Sequence, residues 1–414
     1  MDDLRPVILG YDMVSPLGTD LETQWDNVLA GKSGIGPLTR FPLRPGFPVT
    51  AAGQVEELDV APYPFLSPRQ LALWPSPLFK YSLLVIHRAL KNAGLEITPD
   101  VAPDVAVTFS PAVGGLDAVL GADRALQAQG RMPKPWVNPN SCINMVGGKA
   151  AILTGAAGPN ITTVAACATG SASLIVGALL IASGMARAVI CGGVDFPLVE
   201  PIVAGFATMN GAYRAADPEE LPGRASRPFS LDRRGFVVSE GAACLILASR
   251  EFAATHGLPH GIELAGWGMT ADAHHFVAPH PPTVALCLKK ALEHAGIGPG
   301  DLQAVNAHAA STKIGDQVEA EALAQVLGRI PPVYAGKSQF GHAMGAASAI
   351  ELILAAKGML TASLPPTINY TPDPALPPLD VSAAARVGVP QEHVLKNAFG
   401  FGGTNACIVL RRTA

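Results

Sequence analysis

The sequence predicts an α/β protein built from two core-forming halves, and three observations carry that expectation. Apolar runs of strand length alternate with longer helical stretches, the pattern of βα units. A chain of 414 residues exceeds what a single hydrophobic core usually supports. An apolar content of 49% against 15% charged residues, with 43 glycines and 37 prolines, suits dense packing with many sharp turns and rules out a disordered chain.

Taken in order, Val7-Ile-Leu-Gly10 is strand-like, residues 81–93 are long enough for a helix, and residues 105–109 return to strand character. The β-branched run Ile161-Thr-Thr-Val164 precedes residues 170–186, which read as a buried helix. Residues 188–191 and 243–248 are strands, and a strand over 262–265 opens the second half. The boundary therefore falls near Glu251 and divides the chain into residues 1–251 and 252–414. Residues 284–294 and 316–327 read as helices, and a further apolar helix includes Glu351. Stretches 41–48, 62–77, 218–228 and 365–378 read as surface excursions, because proline and glycine interrupt both periodicities there. No short repeat stands out.

Cys167 lies in Thr163-Val-Ala-Ala-Cys-Ala-Thr-Gly-Ser171, between the β-branched run and the buried helix. A cysteine at a helix N-terminus meets orphan N–H groups and the positive end of the helix dipole, which favour a thiolate over a thiol. Free cysteines among small residues are more often inert core residues, so later segments must decide. Val305-Asn-Ala-His-Ala-Ala-Ser-Thr-Lys-Ile-Gly-Asp316 and Lys337-Ser-Gln-Phe-Gly-His-Ala-Met-Gly-Ala-Ala-Ser-Ala-Ile-Glu351 each set a histidine in a small-residue turn after a strand-like run. Such turns are where α/β folds display side chains to ligands. One histidine there can serve a structural hydrogen bond; two, with a cysteine in the same kind of turn, favour a Cys-His-His site.

A net charge of −4 gives no electrostatic case for nucleic acid, and no basic stripe interleaved with aromatics is present. Six cysteines, at 142, 167, 191, 244, 287 and 407, show no CxxC pairing, which fits a reducing cytosol. Residues 150–186 carry no charge, but Gly158, Pro159, Asn160 and several hydroxyl residues break them, so a strand, turn and buried helix are expected rather than a membrane span. Met1-Asp-Asp-Leu-Arg-Pro lacks the basic region and apolar core of a leader, so a cytoplasmic location is expected. Asp272, His274, His275 and His280 cluster without an HExxH helix or cysteine companion, so they are expected in a loop at the site's mouth rather than at a metal.

At the Cys167, His308 and Lys337–His342 segments the chain resembles the β-ketoacyl-acyl-carrier-protein synthases, the condensing enzymes of fatty-acid and polyketide synthesis within the thiolase superfamily. The match extends to Asn397-Ala-Phe-Gly-Phe-Gly-Gly-Thr-Asn405, to Arg227-Pro-Phe with Arg233, Gly235, Phe236, Glu240 and Gly241, and to Gly10-Tyr-Asp-Met-Val-Ser-Pro-Leu-Gly18, so it covers essentially the whole chain. The resemblance implies a thiolase-like fold, with duplicated βα halves stacked as five αβαβα layers. It implies that Cys167 is the acylated nucleophile, that His308 and His342 promote decarboxylation, and that Lys337 and Glu351 support them. The N–H groups of Cys167 and Phe401 would form the oxyanion hole, Phe401 would gate the site, and Val113, Thr312, Phe399 and Gly402 would meet the substrate. The implied reaction is decarboxylative Claisen condensation of an acyl thioester with malonyl-acyl-carrier-protein. Neither metal nor redox cofactor is implied, since substrates ride on the phosphopantetheine of acyl carrier protein. The implied assembly is a two-fold dimer, homodimeric or paired with a related subunit.

The alternatives fit less well. A non-catalytic chain-length partner normally lacks the nucleophile, and a degradative thiolase wants a second cysteine in a Cys-x-Gly turn, whereas Ile408 and Val409 follow Cys407. Departures from the family pattern bear on the substrate: Ala309-Ala310 replaces Gly-Thr, Lys313 a proline, Ser230 and Arg234 two aspartates, and Ala398 a serine. Leu71-Ala-Leu-Trp-Pro-Ser-Pro-Leu-Phe79 replaces a basic helix that meets the carrier protein, either as an exposed contact patch or as a packed segment.

Overall fold

The computed structural model describes residues 5–215 and 219–413. Among them the chain forms β1 (Pro6–Val14), β2 (Ile35–Pro37), β3 (Ala51–Gly53), β4 (Val105–Val107), β5 (Ala188–Asp195), β6 (Gly241–Ser249), β7 (Ile262–Ala271), β8 (Ala304–Asn306), β9 (Val333–Tyr334), β10 (Ser363–Leu364), β11 (Arg386–Val387), β12 (His393–Gly400) and β13 (Thr404–Arg412). Nine of these join in the order β4-β5-β6-β1-β7-β13-β12-β8-β9, while β2–β3 and β10–β11 are small separate hairpin pairs.

The duplication is visible in the pairing. In the second half, β9-β8-β12-β13-β7 is parallel at β9–β8 and β8–β12, then antiparallel through β13 to β7. The first half repeats this: Asn160 bridges Val107 in parallel, β4 and β5 are parallel, and β5–β6 and β6–β1 are antiparallel. The two halves join at a corner where β1 pairs with β7 at only Val7↔Glu263 and Ile8↔Ile262.

Between the halves lie two helices, Thr169–Ala182 and Ala347–Leu360, both in the same apolar core. They pack closely because Gly170 has no Cβ; one built there would sit 2.6 Å from the Ala349 nitrogen. Helices Pro77–Ala93 and Met145–Thr154 cover the outer face of the first half around a second core, and Pro281–Ala295 and Lys313–Leu327 cover the second half around a third. Helix, sheet, helix pair, sheet, helix is the five-layer arrangement the resemblance implies.

Three expectations change in detail. The β-branched run at 161–164 is not a regular strand: after Ile161 donates to the Val107 carbonyl at 2.9 Å, the Thr163 amide turns to the Ser110 hydroxyl at 2.9 Å. The excursion over 62–77 contains the helix Pro68–Leu73, and Pro77 starts the next; both prolines sit in first turns, where their missing N–H is not needed. Segment 71–79 is packed rather than splayed: Leu71 and Trp74 lie against the outer core, Leu78 and Phe79 are buried in it, and the Trp74 and Phe79 rings meet at 4.7 Å. No helix among the described residues is long and apolar enough to cross a membrane.

Candidate active site

The two central helices begin alike. Each follows a one-turn 3₁₀ segment, Ala166–Ala168 and Met344–Ala346, whose first residue has a positive φ, 48° at Ala166 and 44° at Met344. Left-handed backbone at non-glycine residues is costly and marks positions held by their surroundings. The first of these turns delivers Cys167 to a cavity of about 560 Å³, whose lining also includes His308, His342, Thr312, Phe399 and Phe401.

Cys167 is buried, and the amide N–H groups of Cys167 and Phe401 both bear on its sulfur. The close approach of the Phe401 loop needs Gly400, since a Cβ there would sit 2.4 Å from the Ala165 carbonyl oxygen. Burial pushes the Cys167 thiol up to about 11, against the Lys337 charge and those two amides, which pull it down. The expectation that the helix start would favour a resting thiolate is thereby corrected: loss of water outweighs the neighbouring positive charge and the helix start.

The two imidazoles stand edge to face, with ring centroids 5.6 Å apart and planes at 82°. Burial draws both well below the ordinary histidine range, and Lys337 and Lys396 add repulsion, so both rings are neutral at neutral pH. Lys337 does not line the cavity. It lies behind it, donating to the His308 carbonyl at 2.6 Å and pairing with Glu351 Oε1 at 2.7 Å. Phe399 packs on His308 at 5.6 Å and Phe236 on His342 at 5.5 Å.

Sequence reasoning missed Lys396 and Glu319. Lys396 is fully buried and pairs with the second oxygen of Glu351 at 2.7 Å. Glu319 accepts the amides of His308 and Ala309 at 2.8 and 2.7 Å and the Asn397 side-chain amide at 3.0 Å. A charged residue inside the apolar strand pattern Val394-Leu-Lys396 was the available signal for the first. For the second it was a glutamate three positions after Asp316 on the buried helix face.

The remaining residues divide. Thr312 lines the cavity and caps Lys313–Leu327 by accepting the Gly315 amide at 3.2 Å. Val113 stands outside the cavity lining, in the apolar cluster shared by Cys167, Phe206 and Phe401; its amide donates to Asp195 at 2.9 Å. Gly402 also stands outside the lining; it adopts φ +84° and donates to the Phe276 carbonyl at 2.8 Å, tying the Phe401 loop to the 272–280 loop. Asp272 locks these loops together by accepting from Asn405 at 2.6 Å and from the Thr283 hydroxyl at 2.6 Å. His275, Val277 and Ala278 line the mouth. Among the described residues no group of three or more His, Cys, Asp or Glu could hold a metal. The family departures are met locally: Arg234 pairs with Glu220 at 2.7 Å, and Ser230 donates to the Asn369 carbonyl at 3.0 Å.

Chemically, the site offers a thiol facing two amide donors and a pair of neutral imidazoles in one mostly apolar cavity, which suits acyl transfer followed by stabilisation of a developing oxyanion or enolate. Family models described as Beta-ketoacyl synthase, N-terminal domain, and Beta-ketoacyl synthase, C-terminal domain, match residues 5–253 and 262–371. The 3-oxoacyl-[acyl-carrier-protein] synthase 2 of Coxiella burnetii is 35% identical over 420 residues, covering 100% of this chain and 99% of that one. A solved complex of a type II PKS acyl-carrier protein with its ketosynthase, AntDE:AntF, superposes with a TM-score of 0.89 at 27% identity, covering 99% of each chain. The ishigamide ketosynthase/chain length factor gives 0.89 at 29% identity, again over 99% of each chain.

Proposed function

The chain belongs to the β-ketoacyl synthase family, and we propose that it is an acyltransferase catalysing decarboxylative Claisen condensation of an acyl thioester with malonyl-acyl-carrier-protein. The observation that carries this reading is the convergence of Cys167, His308 and His342 on one cavity, with the Cys167 and Phe401 amides turned to the sulfur. In the first half-reaction the Cys167 sulfur bonds to the acyl carbon. The carbon–sulfur bond to the carrier then breaks, and the carrier thiolate takes the cysteine proton. Two amides at the tetrahedral oxyanion supply the stabilisation. In the second, the malonyl carboxylate leaves as carbon dioxide, and the thioester enolate accepts hydrogen bonds from the neutral imidazoles. Its carbon then attacks the acyl-cysteine, expelling the Cys167 thiolate, which takes a proton from solvent water.

Loss of carbon dioxide drives the bond formation, so this chemistry draws on no redox or metal cofactor, and the substrates arrive on phosphopantetheine. Similar structures include a ketosynthase with its acyl-carrier protein and one with a chain length factor, which supports carrier protein and a related second subunit as partners. Exposed Ile161 and Val164 on the edge beyond β4 support a two-fold pairing through that edge, between identical or related chains. A cytoplasmic location accords with this chemistry and these partners. Against a degradative thiolase, Cys407 is buried in β13 opposite Asn397 and Gly268, away from the cavity lining.

The test separates the half-reactions. Intact mass should find the acyl group on Cys167 after incubation with acyl-carrier protein, and carbon dioxide release from malonyl-carrier protein should fall about 10²–10³-fold in His308→Ala and in His342→Ala. Undiminished release in either variant removes that histidine from the role.

A further inference from the structure

Lys396 takes no part in the steps above, yet burying an ammonium costs several kcal/mol unless its partners repay it. It shares the central-facing side of β12 with Val394 and Ala398, where an apolar residue would pack at no electrostatic cost. Its Nζ stands 2.7 Å from Glu351 Oε2, donates to the Asn397 carbonyl at 2.6 Å and reaches the Ala307 carbonyl at 3.4 Å. Glu351 Oε1 holds Lys337, which donates to the next carbonyl, that of His308, at 2.6 Å. The two neighbouring amides, of His308 and Ala309, are both taken by Glu319. The backbone on each side of His308 is thus gripped by charge at consecutive groups: two ammoniums on carbonyls and one carboxylate on amides.

We propose that Lys396 is a positioning residue for the condensation. Its ammonium, anchored on Glu351, fixes the His308 turn from the Ala307 side and couples that turn to the strand that delivers Phe399 and Phe401. The inference rests on the reading of His308 as an enolate donor.

The groups facing Lys396 are Glu351 from the central helix, Lys337, Glu319, His308, His342 and, across from β12, Cys407. Burial lowers Lys396 to about 8, with Glu351 pulling it up and Lys337 pushing it down. Its charge is present below that pH and lost as pH rises through it, so the clamp opens on the alkaline side.

The test uses the full chain and three preparations: wild type, Lys396→Met, which keeps the side-chain volume without the charge, and Lys396→Ala. Acyl loading of Cys167 is read by intact mass and decarboxylation by carbon dioxide release from malonyl-carrier protein. In Lys396→Met, release should fall roughly 10²-fold, the effect of misplacing a catalytic group by about 1 Å, while loading stays within a few-fold of wild type. Lys396→Ala should lose release similarly and regain part of it with added ammonium or methylammonium. In the wild type, release should decline near pH 8 while loading shows no such decline, and the decline should be absent from Lys396→Met. If neither variant folds, Lys396→Gln, which keeps a donor toward the Asn397 carbonyl without the charge, takes their place, and wild-type release from it overturns the proposal. Wild-type release and an unchanged profile in Lys396→Met also overturn it, as does equal loss of both half-reactions without amine rescue. Failure of the His308 reading is seen separately, as undiminished release from His308→Ala.

Discussion

Asp195, at the end of β5 in the first half, accepts the Gly345 amide of the second half at 2.7 Å. The same carboxylate accepts the amides of Ala112 and Val113 at 3.0 and 2.9 Å. It therefore ties the turn beside Val113 to the turn that follows His342. Gly345 must be glycine here, because a Cβ would lie 2.7 Å from Asp195 Oδ2. Replacing Asp195 with Ala leaves three inward-facing amides without an acceptor, at about 1–3 kcal/mol each. Asp195→Ala should lower the unfolding free energy by roughly 3 kcal/mol or more, and Asp195→Asn, which keeps one acceptor oxygen, by clearly less. Urea denaturation of both variants checks the ranking.

Reactivity of the cysteines should split by reagent. Cys142 is exposed, whereas Cys167 is buried with its thiol pushed up to about 11. Iodoacetamide should label Cys142 first, and alkylation of Cys167 should keep rising with pH beyond 9 rather than levelling near 7. The acyl group from a carrier thioester should nonetheless reside on Cys167. Peptide mapping after each treatment separates the two cases, and acyl on Cys142 refutes the assignment.

Neutral imidazoles set the acid limb of the second half-reaction. Burial lowers both His308 and His342 well below 6.5, so each protonates only at more acid pH. Carbon dioxide release should show no acid-side fall between pH 7.5 and 6.5, because neither histidine protonates there. The contribution of these two sites to stability has a definite sign: below about 6.5 the unfolded chain binds protons there that the native protein does not, so their contribution grows as pH rises through that range. Buried Asp12 and Asp316, pushed up to about 7, and Asp195, pushed up to about 6, act with the opposite sign, so the histidine contribution is read by difference: the unfolding free energy of wild type minus that of His308→Ala should rise from pH 5 to pH 7.

The glycines of the Phe401 loop are not equivalent. A Cβ at Gly400 meets the Ala165 carbonyl at 2.4 Å, whereas at Gly402 it meets nothing within 4 Å and only the φ of +84° resists substitution. Gly400→Ala should push the loop off the Cys167 turn and abolish acyl loading. Gly402→Ala should cost about 1–2 kcal/mol of backbone strain and retain most loading. Equal loading by the two variants contradicts this close approach.

Val113 packs with Cys167, Phe206 and Phe401 rather than along the cavity that holds the histidines. We expect an acyl tail on Cys167 to run through this apolar cluster, where a larger residue at 113 would take up its space. Val113→Phe should shorten the longest acyl chain loaded while leaving short-chain loading nearly intact, as read by intact mass over a series of acyl-carrier proteins. An unchanged chain-length profile places the acyl tail elsewhere.

The features legible in the sequence were those that interrupt a periodic pattern. Cys167, His308 and His342 each break an apolar run at a strand-to-helix turn, and the structure gathers all three around one cavity. Lys396 was hidden because its neighbours alternate like any buried strand, and its partner Glu351 lies 45 residues earlier on another element. Pro68 and Pro77 read as breaks because proline ends a helix from one side and begins it from the other. The run at 161–164 has strand composition, but its neighbour in the chain offers only one edge and one bridge, at Asn160. Composition registers the preference of each residue, not the number of partners that reach it.

The uncharged helix Thr169–Ala182 is covered from the far side by Ala347–Leu360, which emerges from the ribosome much later. At about 5–20 residues per second the first half waits roughly ten seconds or longer with that helix uncovered. The half that carries Cys167 therefore exposes that apolar helix face until its cover is made. Expressed alone, it should partition into aggregates, and coexpression with the second half should return it to solution.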